Sequence, residues 1–336
     1  MRNRLSLAAM AAVLLLSHAA AQPVELELPR GTTIGGADRA GDWIAVWGDR
    51  CLLTTVRAPR WTVVRAPSKP GFGEGGCLAD VDGDGRPDVI VQESGGGLVW
   101  FQAPAWTRRV IDGGADAADV RFTAFDGRRG AVTIHRGGQI RFYQVSPRFD
   151  EAWPSRDLYS FYSASRQGGL LFTDVDGDGR QDVIAGNYWM RNPPEFDLPW
   201  RLFAIKLWSD QSLSALTRFA LFANGDLAAA QRSLSPGRLA VYHKPADPRD
   251  LWAEDLLADD LDKPATLLTA GVKGDGQEDV VAAESGPKGR VFVFARGRRE
   301  QVASGIPIVR AWLDGRELLA VTQQGLVRIP LQRSQP

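Results

Sequence analysis

Residues 78–91 read LADVDGDGRPDVIV, and residues 172–185 read FTDVDGDGRQDVIA. Each is an aspartate-and-glycine loop that runs directly into a Val/Ile pair. Asp80, Asp82 and Asp84 alternate and lead to Arg86 and Asp88; Asp174, Asp176, Asp178, Arg180 and Asp182 repeat the pattern. Carboxylates at positions 1, 3, 5 and 9, with the backbone carbonyl of position 7 (Arg86 or Arg180), can wrap one hard cation in oxygen. Calcium suits such an irregular cage. Gly83 and Gly85 permit the turn. Without a cation the clustered carboxylates would repel one another. The loop is not an EF-hand, which needs a bidentate Glu at position 12 and flanking helices; position 12 is Val91 in one copy and Ala185 in the other. These features predict two structural calcium sites, each pinning a turn between two strands.

The same local grammar recurs along the whole chain. Markers fall at Asp38, Asp80, Asp126, Asp174, Asn224, Gly271 and Asp314, spaced 42 to 50 residues apart. At each, a short apolar strand enters a tight turn and a Val/Ile/Ala-rich strand follows: DWIAVW, DVIVQE, GAVTIH, DVIAGN, DLAAAQ, DVVAAE, ELLAVT. A second turn and a third apolar strand come next. Dense short strands, with no long 3.6-residue period beyond the N-terminus, predict an all-β chain. Seven repeats of three or four antiparallel strands give a seven-bladed β-propeller with four-stranded blades. The blades are expected near 36–68, 75–112, 119–148, 168–210, 216–258, 265–304 and 308–333. The last repeat stops after three strands, so VELEL (24–28) is expected to supply its fourth and close the ring; a frayed terminus is the alternative.

Lys and Arg total 40, as do Asp and Glu, which leaves no electrostatic footprint for nucleic acid. Arg2 and Arg4, an apolar run over 5–16 and Ala19–Ala21 have the order of a secretory signal peptide, 1–21. The chain is therefore expected to be exported, to the periplasm or beyond. That run is too short to span a bilayer, and no later stretch is apolar enough to do so. An oxidising compartment permits a disulfide between Cys51 and Cys77; two separately buried thiols are the alternative.

Three repeats carry the turn without a metal pattern. Asp126–Gly127, Asn224–Gly225 and Asp314–Gly315 favour tight hairpins. The sixth repeat is intermediate, with Lys273 where the second carboxylate stood. Its ammonium is expected to replace the cation by pairing with Asp275 and Asp279, with an open loop as the alternative.

DVDGDGRPDVIV with GLVWFQAPAWTRRVI, and DVDGDGRQDVIAGNYWMRNPPEFDLPWRLFAI, resemble the VCBS/FG-GAP repeat family, whose propellers include the integrin α-subunit head and many secreted bacterial proteins. The similarity covers two repeats, is recognisable in the sixth and is faint elsewhere. It implies a calcium-bearing propeller with an adhesion or binding role; some relatives are carbohydrate-active enzymes. The intact phenylalanyl-glycyl and glycyl-alanyl-prolyl signatures are missing.

No catalytic constellation stands out. His135 ends a second strand, and His243 aligns with Phe101 of the second repeat. There is no zinc-ligand spacing and no nucleophile elbow. The irregular stretches 145–168 and 190–200 mix aromatic, basic and acidic residues, which suits a recognition surface. Asp150, Glu151, Arg156, Tyr159, Tyr162 and Arg166 are its candidate residues, against ordinary loops with packed aromatics. Repeat-locked tryptophans such as Trp100 and Trp189 read as packing between blades, with a sugar-stacking platform as the sharper alternative. The sequence thus points to an exported, calcium-stabilised binding module for a protein or a glycan. The alternative is a polysaccharide lyase or hydrolase on the same scaffold.

Overall fold

The computed structural model describes residues 24–160, 169–207, 215–231 and 236–332, and the expected signal peptide lies outside them. Seven four-stranded antiparallel sheets follow one another in chain order. Blade 1 comprises Ile34–Ala40, Trp43–Gly48, Cys51–Thr55 and Thr62–Arg65; blade 2 Phe72–Ala79, Asp88–Glu93, Leu98–Gln102 and Thr107–Asp112. Blade 3 comprises Ala117–Phe125, Arg128–His135, Gln139–Gln144 and Ser155–Ser160; blade 4 Leu170–Thr173, Asp182–Ala185, Tyr188–Arg191 and Arg201–Ala204. Blade 5 comprises Arg218–Leu221, Leu227–Ala230, Gly237–His243 and Ala253–Leu261; blade 6 Pro264–Ala270, Asp279–Glu284, Val291–Ala295 and Arg298–Ala303. Blade 7 takes Ile308–Asp314, Glu317–Thr322 and Gly325–Pro330, with Val24–Glu27 as its outer strand. The chain is a seven-bladed β-propeller.

Each sheet is sandwiched between two others, so its second strand is buried on both faces. That is why these strands read as nearly unbroken apolar runs. Side chains still alternate at period two. Ile44 and Val46 pack with blade 7, whereas Ala45 and Trp47 pack with blade 2. The described core accordingly divides into seven apolar layers, one at each junction between neighbouring blades. Trp100 and Trp189 are fully buried in two of these layers, so they are packing residues and not a sugar platform.

First strands line the axis, where crowding favours small residues. A Cβ on Gly36 would stand 2.4 Å from Trp47 Nε1, and one on Gly76 2.7 Å from Trp47 Cζ2. The indole wedges between two glycine backbones, and its N–H donates to the Glu74 carbonyl at 3.3 Å.

The ring closes in two places. Val24 pairs with Val327, Leu26 with Leu326 and Glu27 with Gly325, so the 24–28 segment completes the last blade as expected. The Gln323 amide, at the end of the second strand of blade 7, then accepts from Ile34 N at 3.0 Å and donates to Ile34 O at 2.8 Å. Gln92 ties blade 2 to Ala117 of blade 3 in the same way, and Asn187 ties blade 4 to Leu216 of blade 5.

Two expectations change. The fourth strand of blade 3 is Ser155–Ser160, beyond the expected limit at 148, because the long 145–154 connection reaches back over the Trp100 layer first. Cys51 and Cys77 are free and buried. Cys51 faces blade 2, and Cys77, on blade 2, faces blade 3. The blade 2 sheet stands between them and forbids a bridge.

Gln323→Ala would leave a mostly buried Ile34 N–H unpaired at the closure. Urea unfolding should show a loss of about 1–3 kcal/mol; a loss within error would remove Gln323 from the closure. A thiol reagent should find no reactive cysteine in the native protein and two after denaturation without reductant, because burial pushes both thiols up.

Candidate metal loops and central channel

In the second blade the acidic loop joins Phe72–Ala79 to Asp88–Glu93. Gly83 and Gly85 both take positive φ, 82° and 83°, which folds the loop tightly enough for one carboxylate to collect two amides. Asp80 accepts Gly83 N at 2.7 Å through one oxygen and Gly85 N at 3.0 Å through the other. Asp88 is fully buried and accepts Val81 N at 3.1 Å and Ala103 N at 2.7 Å. Asp80, Asp82 and Asp88 bring one oxygen each within 4.8 Å of one another, as do Asp174, Asp176 and Asp182 in blade 4.

Position 5 behaves differently from expectation. Asp84 turns outward and caps Arg86 N at 2.8 Å, and Asp178 caps Arg180 N at 3.0 Å. Neither joins its trio. The innermost carboxylate of each trio is held away from its ordinary ionisation. Burial, aided by Asp82 and Asp84, pushes Asp88 up to about 7. Burial, aided by Asp176 and Asp178, pushes Asp182 up to about 6. Two backbone N–H donors per carboxylate do not overcome this. Three converging hard oxygen donors with surplus negative charge fit a calcium ion.

The loops differ at one matched position. Gln102 follows Phe101, the partner of Val89; Arg191 follows Met190, the partner of Val183. Gln102 Nε2 donates to Asp82 at 2.6 Å, and Arg191 Nε contacts Asp176 at 2.6 Å while its Nη2 reaches Asp178 at 3.0 Å. Arg180 also pairs with Asp178. Blade 4 therefore carries its own positive charge at the loop, and blade 2 a neutral amide.

Blade 6 corrects the expected mimicry. The Lys273 ammonium pairs with Glu300 at 2.5 Å on the outer strand, and Asp275 pairs with Arg296 at 2.5 Å. Asp279 accepts only the backbone N of Lys273 in this loop, at 3.0 Å. A lysine side chain is long enough to leave the turn for a better-exposed acid across the sheet. In blade 5, Asp226 holds Lys244 N at 2.9 Å, as Asp88 holds Ala103 N, and His243 bridges Asp226 at 2.8 Å and Asp255 at 2.9 Å. Tyr242 pairs with Leu227, so the residue matched with Phe101 is Tyr242, and His243 matches Gln102.

Four residues of the expected recognition surface, Asp150, Glu151, Arg156 and Tyr159, are among the described residues. Tyr162 and Arg166 lie outside the described residues. Arg156 and Tyr159 sit on the fourth strand of blade 3, and Arg156 is committed to Asp197 at 3.2 Å and to the carbonyls of Phe196, Asp197 and Leu198. Asp150 and Glu151 are exposed, with Glu151 paired to Arg148 at 3.1 Å. Trp153, Phe196 and Trp200 are buried in the core, so the described parts of both stretches carry packed aromatics.

The cavities converge elsewhere. One of about 330 Å³ opens where first strands begin and second strands end, lined by Ile34–Ala37, Glu74, Lys263 and Gln323 among others. A second, of about 430 Å³, continues along the axis past Thr123 and Gln181. Asp119, Arg121, Arg218 and Arg310 line both and form a charged girdle between them. The acidic loops join the far ends of the first strands, so they lie at the opposite end of the ring. Sequence reading passed over the girdle. Its signal was charge on three first strands, AADVRFTAF, RFAL and IVRAWLD, which are the innermost strands of the ring.

Among solved structures, the crystal structure of BamB from Moraxella catarrhalis matches with a TM-score of 0.50 at 13% identity, over 92% of this chain and 86% of that one. At that identity the likeness is one of fold. No family model matches the chain, and no curated protein does. Among the described residues no helix is long and apolar enough to cross a membrane.

The two described histidines should titrate on opposite sides of 6.5. Hydrogen bonds to Asp226 and Asp255 raise His243, and burial with Arg141 and Arg136 nearby lowers His135. His243 then favours the fold below pH 6.5 and loses that contribution as pH rises through its folded pKa. His135 favours it above 6.5 and loses that as pH falls. NMR of the imidazole protons checks both, and Asp226→Asn should move only His243 downward. Coincident titrations would refute the assignment.

Proposed function

We propose that the chain is an exported, calcium-braced β-propeller of the VCBS/FG-GAP kind that serves as a binding module for a protein or a glycan. The observation that supports it best is the pair of acidic trios, each holding a carboxylate displaced toward neutral pH by burial, with neighbouring aspartates adding to the shift. Asp80, Asp82 and Asp88 hold one ion, Asp174, Asp176 and Asp182 the other, with Asp84, Asp178 and the Arg86 and Arg180 carbonyls close by in the loops. Calcium supplies charge neutralisation and a cross-link and takes no chemical part. Each loop is also tied to the next blade: Arg129 donates to the Asp80 carbonyl, and Lys244 Nζ to the Val175 carbonyl at 3.2 Å. Stiffening a loop therefore stiffens a junction between blades.

The ring then offers a rigid mouth at its other end. Rigid pre-formed surfaces bind without a large ordering cost. The guanidinium and carboxylate groups along the channel favour the second reading, a polysaccharide lyase or hydrolase. A glycan array followed by mass spectrometry of the bound glycans separates the two: binding with intact glycans is expected, and cleaved products would establish the enzyme.

Chelation tests the bracing. EDTA should lower the melting temperature and calcium should restore it. At 100-fold excess over Kd a single site contributes about 2.7 kcal/mol. Asp80→Asn should reduce the calcium response more than Asp174→Asn, because Arg191 competes for the second loop, and Arg191→Gln should raise the affinity of that loop. A melting temperature indifferent to both chelator and calcium would discard the metal sites.

A further inference from the structure

We infer that the girdle inside the channel is a binding site for a small ligand carrying one carboxylate, admitted through the mouth lined by Lys263. This deepens the binding-module reading and rests on it only for the mouth as the working end.

Arg121 carries the argument. It projects from the first strand of blade 3 into both cavities. Its Nε is buried and has no hydrogen-bond acceptor. Its one ion pair among the described residues is with Asp119, where Nε and Oδ1 stand 3.5 Å apart without a hydrogen bond. Asp119 has little to offer it. One of its oxygens accepts Val120 N at 2.9 Å, and the other accepts Gly169 N at 3.0 Å and Leu170 N at 3.2 Å. The carboxylate is spent on holding blade 4 to blade 3. A guanidinium is a planar fork of five donors that matches a carboxylate edge. Here that fork is held in a cavity beside an acid already saturated by main-chain amides.

The second cation is held in place. Arg218 donates through Nε to Ala265 O at 2.9 Å and through Nη1 to Thr217 O at 2.7 Å, while Nη2 lies 4.0 Å from Glu74. Two main-chain acceptors fix its plane before any ligand arrives, which is the pre-organisation that a binding site requires. Arg310 lines the same two cavities, and its charge reaches Asp119.

Charge selects the class of ligand. Arg121, Arg218, Arg310 and Lys263 face Asp119 and Glu74 in the cavity, with Asp38 acting on Arg121 from beside it. Among the described residues, four cations against three acids leave one positive charge, which a monoanion balances and a dianion overshoots. A space of about 330 Å³ at the mouth admits a molecule the size of a single sugar acid or amino acid.

Isothermal titration calorimetry tests this in calcium-containing, low-salt buffer, with D-glucuronate as probe, D-glucose as its neutral counterpart and inorganic phosphate as the competing anion. Glucuronate should bind saturably, glucose should not, and phosphate should bind more weakly. Arg121→Gln should weaken glucuronate about 10- to 100-fold, the loss of a bidentate charge-assisted contact. Should that variant fail to fold, Lys263→Gln at the exposed mouth should weaken the probe by a few-fold and reduce its salt dependence. Absence of saturable glucuronate binding overturns the site. So does binding that Arg121→Gln or, in its place, Lys263→Gln leaves unchanged, and so does equal affinity for glucose. Tighter binding of phosphate overturns the carboxylate assignment. Chelation melts and anion titrations are separate readouts, so failure of one leaves the other standing.

Discussion

A four-stranded sheet with apolar side chains on both faces has no stable existence alone, and the burial of both faces at once is the constraint on which this molecule depends. Closing seven sheets into a ring meets it without leaving a long exposed edge. Each junction is an apolar layer filled from two blades, and each layer needs both neighbours. Closure of the ring is the exception in kind, because it falls inside blade 7: the strand Val24–Glu27, joined to blade 1 through residues 28–33, pairs with Gly325–Pro330 from the other end of the chain. The Gln323 amide adds a second tie, to Ile34 of blade 1. The two ends of the chain must find each other by diffusion, so contacts of great sequence separation decide whether the ring forms.

Polar side chains in this architecture are spent mainly on backbone. Asp119, Gln92, Asn187 and Gln323 each saturate main-chain groups of a neighbouring blade. The same logic governs the acidic loops, where Asp80 and Asp88 each collect two amides. Against that pattern Arg121 is conspicuous, since its donors are not absorbed by any described carbonyl.

The fold was legible because its signal is periodic and local. Seven runs such as DVIVQE and ELLAVT recur at one spacing, and only a strand buried on both faces tolerates that composition. The closing strand was legible because the last repeat was one strand short. What escaped was decided by geometry between strands. SRDLYS is polar enough to pass for a loop, yet Tyr159 pairs with Ile140 and the stretch is an outer strand. Lys273 sits beside Asp275 in sequence but faces Glu300 across the sheet. Cys51 and Cys77 are on adjacent blades, and only the alternation of faces shows that a whole sheet separates them. The girdle was invisible for the same reason: its members come from blades 3, 5 and 7 and meet only at the axis.

The aspartate that opens the second strand in blades 2, 4 and 5 fastens the amide at the end of the third strand whether or not the loop beside it is acidic. The hairpin is secured by that one residue, and the remainder of the corner is free to vary. Blade 2 fills it with acids and an amide, blade 4 with acids and two guanidinium groups, and blade 5 with an imidazole. A corner of this design is a socket: its chemistry can be exchanged one side chain at a time, and the strands on either side keep their register throughout.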